Sequence, residues 1–345
     1  MDRHDIDGNL ISCPKCNSKK LRKDGFAYWK TFKRQRWLCN ECGKKTVAPT
    51  KIVHNPFNVS EVPVEEMSIE DIIAFRNKKY QVKLKNANYK KLIPITINKT
   101  GVIGIAHFGD PHVDDDGTNL AEIYDLVNLI NKTDGLFAGN LGDVQNNWIG
   151  RLKALYGQQS TTAKESWLIT EHFLTSVPWV YLVAGNHDVW SGDGDPIEFI
   201  MRDQPALYQK HGARMNLIFP NGRQIRISAR HQFKGNSMWN TAHSISKAIQ
   251  MGWRDHILTA GHTHVSGYQV LKDPSTGLIS HAIQVASFKN MDEYAEKLGL
   301  DDKNIFNCPV TIIDPKYADD DRRLITTIFD PHEGADYLTW KRKKK

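Results

Sequence analysis

Five short segments of this chain carry residues that bind metal ions, and each closes an apolar run. They are Asp110-Pro-His112, Gly142-Asp143-Val-Gln-Asn146, Gly185-Asn186-His187-Asp188, Arg230-His231 and Gly261-His262-Thr263-His264. Carboxylate, amide and imidazole donors of this kind suit manganese, iron or zinc. About eight such donors are present, enough for two divalent ions that share a carboxylate. Ions so bridged sit about 3.5–4 Å apart and acidify a water between them toward neutral pH. The resulting hydroxide can attack phosphorus while the cations offset charge on the equatorial oxygens.

The apolar runs must position these donors. They are Val102–Ala106, Gly135–Ala138, Trp179–Ala184, Ile225–Ala229 and His256–Ala260. Four read as strands buried on both faces, and one as an alternating strand. Helical patterns at 118–131 and 162–175 separate the first three, as in βαβ units with a parallel sheet. Ligands of such sheets lie beyond the carboxyl ends of the strands, so all the donors are expected on one rim. A hairpin at Asn221-Gly222, another at Asp273–Gly277, strands near 309–314 and 323–329, and a helix over 238–250 supply a second sheet and its cover. The Gly- and Asp-rich segment Trp190–Asp195 is expected as a loop at the rim.

The blocks D-x-H, G-D-x-x-N, G-N-H-D, a lone His and G-H-x-H occur in that order between residues 110 and 264. In this the chain resembles the calcineurin-like metallophosphoesterase superfamily over residues 98–330. Phe233-Lys-Gly-Asn-Ser-Met-Trp-Asn240 looks like its phage and bacterial members, which include DNA-repair exonuclease-like phosphoesterases. The resemblance implies an α/β fold in which a two-sheet β-sandwich is flanked by helices. It implies one ion on Asp110, His112, Asp143 and His264, and a second on Asp143, Asn186, His231 and His262, with Asp143 bridging. His187 would be the general acid or a donor to the phosphate. Asp188 would orient its imidazole. Manganese-dependent activity is what the family suggests.

Other polar residues rank lower. His211, His243 and His281 end no comparable strand, and His107 reads as a core residue or a neighbour of the ligands. Asn146 reads either as a substrate contact or as a helix cap. Asp114-Asp115-Asp116 reads as a solvated loop ahead of a third metal site.

The N-terminus is a separate object. Cys13-Pro-Lys-Cys16 and Cys39-Asn-Glu-Cys42 form paired C-x-x-C knuckles that fit one tetrahedral zinc with no open position, hence a structural ion. The chain also resembles here the zinc ribbons of transposases and transcription-associated proteins. Gly43 supplies the permissive backbone after the second knuckle. Asp24-Gly25 is a hairpin signal, flanked by cations and by Phe26, Tyr28, Trp29, Phe32 and Trp37. Cys308 has no partner and reads as a buried or free thiol.

Charge separates the regions. Residues 1–50 carry 12 basic and 5 acidic side chains, and the tail Lys341–Lys345 adds five cations, leaving 29 basic and 34 acidic over 51–340. The excess at the two ends favours a polyanion, with Lys33, Arg34 and Arg36 as nucleic-acid contacts. Residues 44–67, with Pro49, Pro56 and Pro63, read as a linker, and Ser68-Ile-Glu-Asp71 opens a helix to about residue 86. The domains expected are a ribbon (1–50), linker and helix (51–97), catalytic domain (98–330) and basic tail (331–345). No apolar run approaches the roughly 18–20 residues that span a membrane, and a cytoplasmic enzyme is expected. The function expected is hydrolysis of phosphodiesters in nucleic acid, DNA in the first place. Two alternatives stay open: a phosphatase whose ribbon docks protein, and a non-catalytic nucleic-acid scaffold.

Overall fold

A computed structural model describes residues 10–28, 33–47, 68–85, 91–148, 150–189, 195–290, 299 and 304–344. The chain divides into two compact units, residues 1–74 and 75–345.

In the first unit β1 (Leu21–Tyr28), β2 (Lys33–Cys39) and β3 (Lys45–Val47) form an antiparallel sheet in that order. Asp24-Gly25 is not the hairpin turn expected. The pairing register slips between Lys23 and Phe26, so the dipeptide is a bulge inside β1, with Gly25 at φ +70°. A backbone with positive φ serves a bulge as readily as a turn. The connection itself falls at 29–32, which with Trp29 and Phe32 lies outside the described residues. The ribbon also runs on through β3, so the linker expected from residue 44 starts later. Helix α1 (Ile69–Lys85) has the expected cap, the Asp71 amide donating to Ser68 Oγ at 3.1 Å, and buries none of its residues.

The second unit holds two six-stranded mixed sheets flanked by helices. The first sheet contains β5 (Ile103–Phe108), β6 (Leu136–Asn140), β7 (Trp179–Ala184), β8 (Leu207–Lys210), β14 (Val310–Ile313) and β15 (Ile325–Ile328), ordered β15-β14-β5-β6-β7-β8. Strands β5 to β8 run parallel. The second sheet contains β4 (Ile93–Thr96), β9 (Gly212–Ile218), β10 (Gln224–Arg230), β11 (Ile257–Ala260), β12 (Gly267–Lys272) and β13 (Ile279–Gln284), ordered β12-β13-β11-β10-β9-β4. The five donor segments therefore follow strands of two sheets, not of one parallel sheet. Three leave β5, β6 and β7; the other two leave β10 and β11, which pair parallel with each other. The segment expected as linker and helix to residue 97 also gives up β4 to this second sheet.

Pleat alternation explains the burial. Ile103 and Ile105 join Val183, Met215, Ile227 and Ile283 in a cluster that draws on both sheets. Ala106 and Phe108, on the opposite face of β5, pack with the helices. Helix α2 (Leu120–Lys132) buries Ile123, Leu126, Val127 and Ile130, the i, i+3, i+4, i+7 stripe of an amphipathic helix. Helix α3 (Ala163–Thr175) starts on a Thr162/Glu165 capping box. Helix α4 (Pro196–Met201) is capped by Asp195, the last residue of the expected rim loop; residues 190–194 lie outside the described residues. Helix α5 (His243–Gln250) covers β11 and β13 through Ile245 and Ile249.

The basic tail is not a tail. Residues Pro331–Lys343 form helix α6, capped by Asp330, with Leu338 fully buried. Gly104 of β5 leaves room for it: a Cβ there would lie 3.1 Å from Leu338 Cδ2. Lys341 pairs with Asp314 at 3.2 Å and Arg342 with Asp134 at 2.9 Å, so part of the charge is engaged within the fold. Leu338→Ala should cost about 2–5 kcal/mol, as for buried leucines generally. Urea unfolding measures it; a loss under about 0.5 kcal/mol, the size of a surface substitution, would mean the helix does not pack on the core.

Candidate metal centre

Each donor sits one to four residues past its strand, on a turn that few side chains tolerate. Five of the seven expected metal ligands have positive φ: Asp110 (20°), His112 (40°), Asp143 (51°), His262 (72°) and His264 (52°). Non-glycine residues rarely take this conformation, and it collects at functional sites where packing holds it. Of the preceding glycines, Gly142 has positive φ (103°), whereas Gly185 and Gly261 are required by close approach. A Cβ on Gly185 would lie 2.0 Å from Asp143 Oδ1, and one on Gly261 would lie 2.5 Å from Asp110 Oδ1. These two glycines thus make space for carboxylates of other blocks, while Gly142 makes space for the Gly185 backbone.

The donors converge. Asp143 Oδ2 lies 3.2 Å from His231 Nε2 and 4.0 Å from His187 Nε2. His231 Nε2 lies 2.9 Å from both Asn186 Oδ1 and His262 Nδ1. Asp110 Oδ2 is 3.5 Å from His264 Nε2, and Asp110 Oδ1 is 3.6 Å from His231 Nδ1. Two groups have ligand atoms close enough to hold an ion: His112 with Asp143 and His187, and Asp143 with His231 and His262. Asp143 belongs to both. The second group follows the expected set; the first brings in His187, which was expected beyond the ligands.

Two observations fit cations here. Both ring nitrogens of His112 and Asp110 Oδ1 are buried without a hydrogen-bond partner, where buried polar atoms nearly always have one. His231 Nδ1 lies 2.8 Å from the Leu141 carbonyl, so Nδ1 carries a proton there and Nε2 is the ring nitrogen that faces the cluster. Such a carbonyl contact is the usual support of a metal-bound imidazole.

The electrostatics show how tightly the groups interact. Burial alone would raise the Asp143 carboxyl, but His231, His187 and His112 pull it far below the usual range. Burial pushes Asp110 well above that range, against the pull of His231 and with a further push from Asp143. Burial works against a charged His231, yet Asp143 and Asp110 carry it up to about 10. Burial and the neighbouring His264 drive His112 well below its ordinary value.

Asp188 does not do what the sequence suggests. Its carboxylate accepts from the amides of Gly185 (2.7 Å), Asp143 (2.8 Å) and Val144 (3.0 Å), and is fully buried. It ties the G-D turn to the G-N-H turn. The imidazole of His187 is instead oriented by the Asn146 carbonyl, which accepts from Nδ1. Asn146 caps no α-helix: its amide donates to Asp114 Oδ1 (2.7 Å) and its Nδ2 to Asp115 Oδ2 (2.7 Å). Asp114 is buried and Asp115 half-buried, and these two brace the turn, while Asp116 is exposed and accepts from Ser160. His107 is core, bonded to Tyr181 and Thr311 at 2.6 and 2.8 Å. Trp148 and Lys289, which no motif marks, border the site: the Trp148 ring meets His187 edge-on at 5.3 Å, and Lys289 Nζ lies 5.7 Å from the Trp148 ring centre.

In the ribbon, Cys13, Cys16, Cys39 and Cys42 converge, with Cys13–Cys42 and Cys16–Cys39 sulfurs 3.5 and 3.6 Å apart. Tetrahedral zinc with about 2.3 Å bonds separates thiolates by about 3.8 Å, so the cluster could hold a structural zinc. The knuckles are alike: the amides of Asn17 and Gly43 donate to Cys13 and Cys39 carbonyls at 2.9 and 3.0 Å, with φ 58° and 69°. Asn17 fills the place that glycine marks in the second knuckle. Of the expected nucleic-acid contacts, Lys33 is exposed with Nζ 5.0 Å from the Phe26 ring centre. Arg34 and Arg36 are half-buried, and Arg36 is paired with Asp24 at 3.2 Å. Cys308 is buried.

No family model matches the chain, and no curated protein matches it. Among solved structures the chain is similar to one described as "GAP50 the anchor in the inner membrane complex of Plasmodium", at 11% identity and TM-score 0.31, over 70% of this chain and 95% of that one. A likeness of that size carries no argument here. Among the described residues no helix is long and apolar enough to cross a membrane.

Asp188→Ala strands three buried amides and should destabilise the protein by on the order of 3 kcal/mol or more. It should leave the leaving-group dependence of any turnover unchanged. A shift in that dependence equal to that of His187→Ala would return Asp188 to the imidazole.

Proposed function

We propose that this chain is a dinuclear metal-dependent phosphodiesterase acting on nucleic acid, DNA in the first place. The observation that supports it most is the sharing of Asp143 between two donor groups, one with His112 and His187 and one with His231 and His262, of which the proposal gives His187 to the proton and not to an ion. Asp110, His112 and His264 complete one side of the proposed centre, and Asn186, His231 and His262 the other. Manganese, iron or zinc bound there would supply Lewis acidity and an acidified water. The two-sheet sandwich of the metallophosphoesterases belongs to the same reading, and the cluster shared by both sheets supports it.

The chain's own residues handle the proton. His187 keeps Nδ1–H on the Asn146 carbonyl, so Nε2 faces the cluster. In the protonated ring Nε2–H can pass to the leaving oxygen of a phosphodiester. The ribbon, held by zinc, adds a cationic surface with exposed Tyr28 and Phe26, which supports a nucleic-acid role. The C-terminal cations contribute less, since Lys341 and Arg342 are paired.

Asp143→Asn should retain the fold, lower metal content below two ions in the catalytic unit, and abolish manganese-dependent hydrolysis of bis(4-nitrophenyl) phosphate. Circular dichroism, elemental analysis and nitrophenolate release check this; activity within threefold of wild type with full metal content would sink the bridging role.

Deleting residues 1–50 should spare that small diester. It should weaken DNA binding and flatten the slope of log affinity against log salt, because fewer phosphates are neutralised. Equal slopes would favour protein docking by the ribbon.

A further inference from the structure

We infer that the loop from Gln232 to Ala242 is a guide for single-stranded nucleic acid, with Trp239 stacking on a base and Lys234 and Lys247 holding phosphates. The inference rests on the phosphodiesterase reading and adds the path of the substrate strand over the catalytic unit.

The loop is tied to the donor cluster at both ends. It leaves directly from His231. At its far end Thr241 packs on Gly267, three residues past His264, where a Cβ would lie 2.2 Å from Thr241 Oγ1. Gln269 Oε1 accepts from Ser246 Oγ at 2.6 Å and from Asn240 Nδ2 at 3.3 Å, fastening the loop's exit to β12. Phe233 is buried with Ile245 and Ile249. Within the loop Ser237 Oγ accepts from the Trp239 and Asn240 amides, both at 3.2 Å.

This fixed loop nevertheless holds its largest apolar side chains in water. Trp239 is 94% exposed and Met238 85%. An indole so presented is a large flat surface with no intramolecular use, the form that binding platforms take.

Charge selects the partner. No acidic residue occurs between Asp203 and Asp255, a stretch that holds eight Lys and Arg. Five of these are ion-paired to carboxylates outside it. Arg230 lies over the Phe233 and Trp253 rings. Lys234 and Lys247 are exposed, and Lys247 Cδ lies 3.6 Å from where a Gly235 Cβ would stand, which sets the helix cation against the loop beside Lys234 in the chain. An exposed aromatic plate on a loop that, with the helix after it, carries cations and no carboxylate is the kind of surface that binds unpaired strands: every base offers a face to stack and every linkage a charge. A paired duplex would hide the faces.

The test uses the full-length protein and a fluorescently labelled oligothymidylate, read by anisotropy. Trp239→Ala should weaken binding about 5–150-fold, the span of one base stack. Trp239→Phe should recover most of that. The pair Lys234→Ala with Lys247→Ala should lower the salt slope by about 1.4, or about 0.7 per phosphate on a single strand. Inorganic polyphosphate, which has no bases, should bind wild type and Trp239→Ala alike. Hydrolysis of bis(4-nitrophenyl) phosphate should be unchanged in all three variants. Unchanged oligonucleotide binding by Trp239→Ala, equal losses for Trp239→Ala and Trp239→Phe, or an equal loss toward polyphosphate would overturn the inference. Wild type that fails to hydrolyse the small diester would instead sink the phosphodiesterase reading, while the binding comparison still decides the loop.

Discussion

The structure turns on burying two carboxylates, Asp110 and Asp143, among imidazoles at the edge of two sheets. Taking a charged carboxylate out of water costs several kcal/mol even after the protein relaxes. Neither group is more than 2% exposed, and between them they engage His231, His264 and His187. Protein donors alone leave this cluster poorly satisfied: His112 has two idle ring nitrogens and Asp110 one idle oxygen. Divalent cations would resolve both the charge and the idle lone pairs, which is why the proposed function begins from this cluster rather than from the fold.

Keeping such a cluster requires a rigid frame. Positive-φ side chains cost on the order of 1–3 kcal/mol each, and five of them gather here. Asp188 offsets part of this by binding three amides from two turns, and the glycines at 185 and 261 let carboxylates and backbone approach as closely as they do. The cluster shared by both sheets holds β5, β7 and β10 in relation, so the turns after them face one another. Stability is thus spent at the strand ends and recovered in the layers beneath.

Much of this was legible in the chain. Periodicity gave the helices near 120–132 and 163–175 to within two residues, because each buries a clear stripe between caps. The donor blocks announced the cluster because few functions other than metal binding put Asp, Asn and His at successive strand ends. What stayed hidden depended on partners distant in sequence. Asp188 adjoins His187, so adjacency suggested an orienting role, whereas its true partners lie at 143 and 144. Asp24-Gly25 satisfies a bulge as well as a turn, and nothing local separates the two. The terminal helix carries so many cations that its single fully buried leucine left little hydrophobic signal. Two-sheet membership of the donor strands was not readable either, since β10 and β11 pair in parallel just as β5, β6 and β7 do.

The central claim is that Asp143 sits between two ions. Crystals grown with manganese and measured at its absorption edge test it most directly. The account predicts two anomalous peaks about 3.5–4 Å apart, one on each side of the Asp143 carboxylate, in addition to zinc at the four cysteines. A single peak, or two that do not share Asp143, would contradict it.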